Sequence, residues 1–149
     1  VITSRDNFAV TSGALAEDDV NANRFEMNAA CNYSISGRGY LKAATANLPF
    51  SAGHTSLAVL QMCAFFVMLD SSGNVTTIQS TIVPGTRAVG YKTGAWDWPI
   101  SSTLCCIGAI VVETRNAATF TPGSTDLGAT DVIDTYANVV LDYGLPVAY

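Results

Sequence analysis

The sequence predicts an all-β fold, a β-sandwich or jelly-roll-like barrel preceded by an extended N-terminal arm. Three observations carry this reading. Runs of strand length, alternating or wholly apolar, recur along the chain and are separated by Gly, Pro and Asn turn signals. Two of them, Met62–Leu69 and Thr103–Glu113, are apolar on both faces, as strands in the middle of a buried sheet are. Third, 49% of the 149 residues are hydrophobic and only 13% are charged, with mean hydropathy +0.30. An ordinary soluble domain is about a quarter charged. The longest apolar run, Leu57–Leu69, contains Gln61 and falls short of the ~20 residues a membrane helix needs. A chain this apolar stays in solution most readily when copies of itself, or a larger assembly, cover part of its surface, which points towards a structural subunit.

The elements follow in order. Residues 1–24 read as an arm: Val1–Val10 has no sustained period, and Gly13–Arg24 is polar, acidic and Asn-rich. Residues 25–149 read as a single all-β domain. Cys31–Ile35 alternates, Ser36-Gly37-Arg38-Gly39 supplies a turn, and Tyr40–Ala44 returns as a second strand. Leu48-Pro49-Phe50 is edge-like, because Pro49 cannot donate to a ladder. Met62–Leu69 fits helix or strand by period alone; the turn Asp70–Asn74 and the Thr-rich, β-branched Val75–Ile78 beyond it select a hairpin. Residues 81–102 form a long connection broken by Pro84-Gly85, Gly90, Gly94 and Pro99. Thr103–Glu113 is a central strand, and Phe120–Asp126 is a loop. In the last strand Ile133, Thr135, Ala137, Val139 and Leu141 share one side, with Asp134, Tyr136, Asn138 and Val140 on the other. No internal repeat is present.

Charge and cysteine content narrow the function classes. Net charge is −5, and the seven basic residues are scattered singly, so no basic stripe exists to bind nucleic acid or an anionic membrane. Asp6, Glu17, Asp18 and Asp19 make the arm acidic, either as a solvated segment or for docking on a basic partner surface. No basic stretch followed by an apolar core opens the chain, so no secretory signal is expected. Cys31, Cys63, Cys105 and Cys106 match no zinc spacing, and there is one histidine. They read as reduced, buried small hydrophobes suited to assembly in a reducing cytosol, a disulfide being the alternative.

Two stretches carry a resemblance. Phe66–Thr76, an apolar strand running into Asp70-x-x-Gly73-Asn74-Val75, resembles a hairpin of small tailed-bacteriophage structural proteins. Ala118–Leu127, with Phe120-Thr121-Pro122-Gly123-Ser124-Thr125, resembles a loop of the same group. Their order also fits, with Tyr40–Phe50 upstream and the apolar Ile107–Val112 between them. The resemblance covers about half of the chain and implies a virion protein. The best-defined role in that group is capsid decoration, or cementing, in which trimers on the outside of the head clamp neighbouring copies of the major capsid protein. The longer acidic N-terminal segment and the loop bearing Trp96 and Trp98 depart from the group.

The chemistry-bearing residues are few. His54 is the sole candidate general base, and no nucleophile-elbow pattern accompanies it. Gly53-His54-Thr55 reads as a turn, and Asp18–Asp19 and Asp131/Asp134 do not read as a catalytic carboxylate pair. The Asp70/Asn74 turn reads as structural rather than calcium-binding. No enzyme activity, cofactor or metal is expected. Trp96 and Trp98 admit three roles: plugging the end of a sandwich, contacting another subunit, or forming a platform for sugar stacking. The apolar tail Leu145–Tyr149 either folds back over the core or docks on a neighbour.

The expected function is therefore a capsid decoration subunit of the phage head exterior, assembled in the host cytoplasm and self-associating as a homotrimer. Ile2, Phe8 and Val10 are the expected apolar anchors on the shell, with Asp18 and Asp19 meeting basic capsid residues. Trp96, Trp98 and Tyr149 are the expected subunit-contact or glycan-platform residues. The alternative is a head-fibre or receptor-binding, carbohydrate-binding module.

Overall fold

A computed structural model describes residues 7–85, 98–142 and 145–147. The fold is all-β, with no helix among the described residues and open sheets packed as in a β-sandwich. No helix is long and apolar enough to cross a membrane among the described residues. The strands are β1 (Phe8–Ala9), β2 (Leu15–Glu17), β3 (Phe25–Met27), β4 (Cys31–Ile35), β5 (Arg38–Lys42), β6 (Thr45–Leu48), β7 (Gln61–Leu69), β8 (Val75–Gln79), β9 (Val83–Pro84), β10 (Cys105–Thr114), β11 (Val132–Asn138), β12 (Val140–Asp142) and β13 (Leu145–Val147). The main sheet has the order β11-β10-β7-β8, with β9 also pairing β7. Two three-stranded sheets, β1-β4-β5 and β2-β3-β6, and the hairpin β12-β13 complete the set.

The two wholly apolar runs are the central pair. β7 and β10 lie antiparallel, from Met62↔Glu113 to Leu69↔Cys105. One face carries Cys63, Phe65, Val67, Leu69, Ile110 and Val112 into a core shared with Phe25, Met27, Tyr33 and Phe50 of the two smaller sheets and the loop after β6. The opposite face carries Met62, Ala64, Phe66, Met68, Ala109 and Val111, against which Val83, Trp98, Leu104 and Cys106 pack. Burial on both faces explains why neither run alternates.

One extra residue sits in this pair. The register shifts between Cys106 and Gly108, leaving Ile107 without a partner on β7, a β-bulge. As a result Ile107 and Gly108 turn to the same side in succession. Ile107 fills the larger core, and a Cβ on Gly108 would collide with the backbone oxygen of Ala137 and come within 2.7 Å of Leu15 Cδ1. Only glycine fits there.

The β4–β5 hairpin is two residues tighter than the sequence predicts. Ile35 pairs with Arg38, so the turn is Ser36-Gly37 alone, with φ of 50° and 78°. Positive φ at both central residues is what a two-residue turn matching strand twist requires. In β11 the expected alternation holds through Asn138. The side bearing Val132 and Tyr136 meets the larger core. The strand then stops, because the Val139 N–H turns to donate to Ile107 O at 3.1 Å. β13 folds back on β12, Leu141 opposite Pro146, so Leu145–Val147 return as a hairpin strand.

The largest departure concerns the arm. Residues 8–17, expected to lead in as an extended segment, are paired into the sheets: Phe8↔Ser34 and Ala9↔Tyr33 in one, Leu15↔Met27 to Glu17↔Phe25 in another. Ala9 and Leu15 are core residues. Strands of two or three residues leave no periodic trace in a sequence, since their partners lie elsewhere in the chain. Ile2 lies outside the described residues.

Gly108 offers a direct check. Gly108→Ala is expected to destabilise the fold by about 1–3 kcal/mol, as overpacking a rigid site does. Gly39→Ala, with nothing within 4 Å of its added Cβ, provides the benign comparison in the same chemical denaturation series.

Candidate interaction face

The three-stranded sheet β1-β4-β5 packs one face on the core; on the other, Val10, Asn32 and Leu41 are exposed while Ser34 is buried and Phe8 partly buried. Alternation places Ala9, Cys31, Tyr33 and Ile35 inward. The Tyr33 hydroxyl donates to Asp70 O at 2.7 Å, and its ring stacks on Tyr40 at 5.5 Å, which ties this sheet to the β7–β8 turn. The outward set is Phe8, Val10, Asn32, Ser34, Gly39 and Leu41. Val10 N–H donates to Asn32 O at 2.7 Å, and Asn32 is the cross-strand partner of Leu41. Val10, just past the end of β1, Asn32 on β4 and Leu41 on β5 therefore form one row, with Phe8 two residues along from Val10. Val10 is 50% exposed and Leu41 65% exposed, while Phe8 is partly buried.

Two of the expected shell anchors, Phe8 and Val10, are thus brought together on an outward face. Leu41, not among the expected anchors, joins them. Alternation along the predicted return strand Tyr40–Ala44 separates Leu41 from Tyr40; its place opposite Asn32 follows from the observed register.

Asp18 and Asp19, expected to act as a pair, are separated by the fold. Asp19 is exposed. Asp18 is buried, and its carboxylate accepts from Val20 N–H at 3.0 Å, Asn21 N–H at 2.7 Å and the Asn47 N–H. These donors, that of Asn21 foremost, hold the Asp18 carboxyl below the usual aspartate value. Asp18 fastens the β2–β3 turn to the residue before Leu48 and is not available to meet a partner, a correction to its expected role. Glu17, its neighbour, sits near Asp134 and Asp126; burial first and these carboxylates next push its carboxyl upward, against the Gly128 N–H.

Trp98 is partly buried, with its ring 5.0 Å from Phe66 on the second face of the main sheet. The ring thus packs on a sheet face rather than at the end of a sandwich. Trp96 and Tyr149 lie outside the described residues.

The remaining candidates are used internally. His54 Nε2 is 2.8 Å from Thr77 Oγ1, and the ring packs edge-on to Phe65 at 5.2 Å; burial lowers its pKa. Thr77 Oγ1 also accepts from Ser51 N–H while Ser51 Oγ accepts from Thr77 N–H, so the hydroxyl is part of a clasp along β8. The Asp70 carboxylate accepts from Ser72 N–H, Asn74 N–H and Asn74 Nδ2, which makes the turn structural. All four cysteines are free thiols. Burial pushes Cys31 up to about 11 and Cys63, Cys105 and Cys106 up to about 12, which keeps them protonated and poor nucleophiles. Among the described residues no group of three His, Cys, Asp or Glu side chains could hold a metal ion.

No family model matches this chain, and neither a curated protein nor a solved structure shows a significant match to it.

Opposite pH responses are expected from the two neighbouring acids. The lowered Asp18 pKa supplies stability above the ordinary aspartate value that is lost as pH falls through the folded value. Asp18→Asn should lower Tm at pH 7, with the difference from wild type closing in acid. The raised Glu17 pKa means the folded chain gains stability as pH falls from its folded value towards the ordinary glutamate value. Glu17→Gln should raise Tm at pH 7 and abolish that gain. Trp98→Ala should cost about 2 kcal/mol in urea titration, less than the ~3–5 kcal/mol of a fully buried aromatic because Trp98 is only partly buried.

Proposed function

We propose that this chain is a non-enzymatic structural protein of a tailed-bacteriophage particle, a decoration subunit that docks on the outer head and bridges capsid subunits. The observation that carries the reading is the placement of Phe8, Val10 and Leu41 on one outward sheet face, backed by a rigid core. Val10, just past the end of β1, and Leu41 on β5 are exposed side by side on this face, with Phe8 beside them, an apolar grouping suited to burial against a partner. The ordered resemblance of Phe66–Thr76 and Ala118–Leu127 to phage structural proteins supplies the class of partner. These two segments form the β7–β8 hairpin and much of the β10–β11 connection.

The mechanism is mechanical. Each copy buries apolar area on the shell at roughly 25 cal/mol per Å², less the cost of association. Self-association as a homotrimer links three such contacts so that each raises the effective concentration of the others. Asp19 remains as an exposed acid for a basic shell residue. The glycan-platform alternative loses support from Trp98, because a ring packed on Phe66 offers less of its face to a sugar.

Density-gradient sedimentation of particles, with peptide counting of this chain, tests the reading. Wild type is expected to co-sediment in a stoichiometry comparable with capsid subunits. Val10→Ser combined with Leu41→Ser should reduce occupancy about tenfold or more. Both positions are exposed, so its unfolding free energy should stay within about 0.5 kcal/mol of wild type. Recovery of the wild-type chain only at the top of the gradient overturns the proposal.

A further inference from the structure

The edges of the sheets differ in how they are closed. β8 is closed by the 51–55 loop: Thr77 N–H donates to Ser51 Oγ, Thr55 N–H donates to Gln79 Oε1, and Gln79 Nε2 donates to Thr55 O. β2 is tied to β11 by Leu15 N–H donating to Asn138 Oδ1 at 3.0 Å. β6 runs into Pro49, and its Asn47 N–H is taken by Asp18. β1 is two residues long, and Asn7 Nδ2 beside it donates to Ser101 O and Leu104 O. Among the described residues β5 has no such cover: it pairs with β4 on one side only.

The geometry of that edge is regular. Five residues pair without a bulge from Cys31↔Lys42 to Ile35↔Arg38. The two-residue turn makes Ile35/Arg38 a hydrogen-bonded pair, so Arg38, Tyr40 and Lys42 bond to β4, and the N–H and C=O of Gly39 and Leu41 point outward. The Val10 N–H to Asn32 O bond agrees, since Asn32 is the partner of Leu41 and turns its own groups away from β5.

Charge selects what can occupy it. Arg38 and Lys42 stand at the two ends of the edge strand, and among the described residues neither side chain has an ion-pair or hydrogen-bond partner. A second copy pairing antiparallel in the full-length register, centred on Tyr40, would set Arg38 against Lys42 of its partner. Like charges directly opposite are destabilising. A strand with carboxylates at the first and last of five positions meets both cations instead. These are the positions of the new ladder without hydrogen bonds, where cross-strand side chains come closest.

We propose that the β5 edge is a strand-addition site for an extended acidic segment of a partner protein, with main-chain bonds to Gly39 and Leu41 and carboxylates on Arg38 and Lys42. This is peptide recognition by sheet augmentation. It does not depend on the shell-docking proposal, since it is measured on the isolated chain with a synthetic peptide and no particle.

The probe is the acetylated, amidated heptapeptide Thr-Asp-Val-Thr-Val-Asp-Thr, which reads the same in both directions, titrated to millimolar concentration into isotope-labelled chain. Amide shifts are expected at Gly39, Leu41 and their neighbours on β4. The same peptide with both Val replaced by Pro keeps the charge and cannot form the ladder, and it should leave those amides unmoved. Arg38→Glu combined with Lys42→Glu should weaken the acidic peptide about fivefold or more and favour its Lys-for-Asp counterpart. Leu41→Pro, which removes an outward N–H that β4 does not use, should abolish the ladder while leaving the circular dichroism of the chain unchanged. No shift at Gly39 and Leu41, equal binding of the Pro peptide, or equal binding of acidic and basic peptides to wild type each overturns the proposal.

Discussion

Everything in this fold leans on the β7–β10 pair. Two antiparallel strands of nine and ten residues are apolar on both faces, and their side chains supply both clusters of the interior. Because both faces must be covered, the rest of the chain is distributed around them. The two small sheets close one side, and Val83, Trp98 and Leu104 from the two ends of the long connection pack on the other. The bulge at Ile107 fits the pair to its surroundings. It adds one large side chain to the main core and puts Gly108 where Leu15 and the Ala137 backbone approach, which lets β2 and β11 close in.

The same constraint explains the outer sheet. Short strands such as β1 and β4 are ordered because Ala9, Cys31, Tyr33 and Ile35 are anchored in the core that β7 and β10 create. Their alternate residues face away from it, and there the chain places Phe8, Val10 and Leu41 where charged residues would be the ordinary choice. An anchored inner face thereby holds these apolar side chains in fixed places on a mixed outer face, which is what a docking surface needs if little ordering is to be lost on binding. The cations at the ends of β5 limit pairing between copies along the same edge.

Legibility in the sequence followed the range of the interactions. The existence of the hairpins at Cys31–Lys42 and Gln61–Gln79 and of the central strand at Cys105–Thr114 could be read locally from turn residues and β-branching, whereas period left Met62–Leu69 open to helix and the Ser36-Gly37-Arg38-Gly39 run did not fix the tighter turn. The integration of residues 8–17 could not, since Phe8 meets Ser34 and Leu15 meets Met27 only through the fold. Asp18 looked like a surface acid because three backbone donors that bury it, those of Val20, Asn21 and Asn47, carry no side-chain signature. The outward row of Val10 and Leu41 needed the strand register. Once Ile35↔Arg38 is known, every side of that sheet follows.

Residue-resolved amide hydrogen exchange of the isolated chain tests this account most directly. Exchange should be slowest in the doubly buried stretches Phe65–Val67 and Ala109–Val112. Along β5 it should alternate, slow at Tyr40 and Lys42 and fast at Gly39 and Leu41, as an anchored strand with an open edge requires. Uniform protection along β5, or faster exchange in β7 and β10 than in the outer sheet, would contradict it.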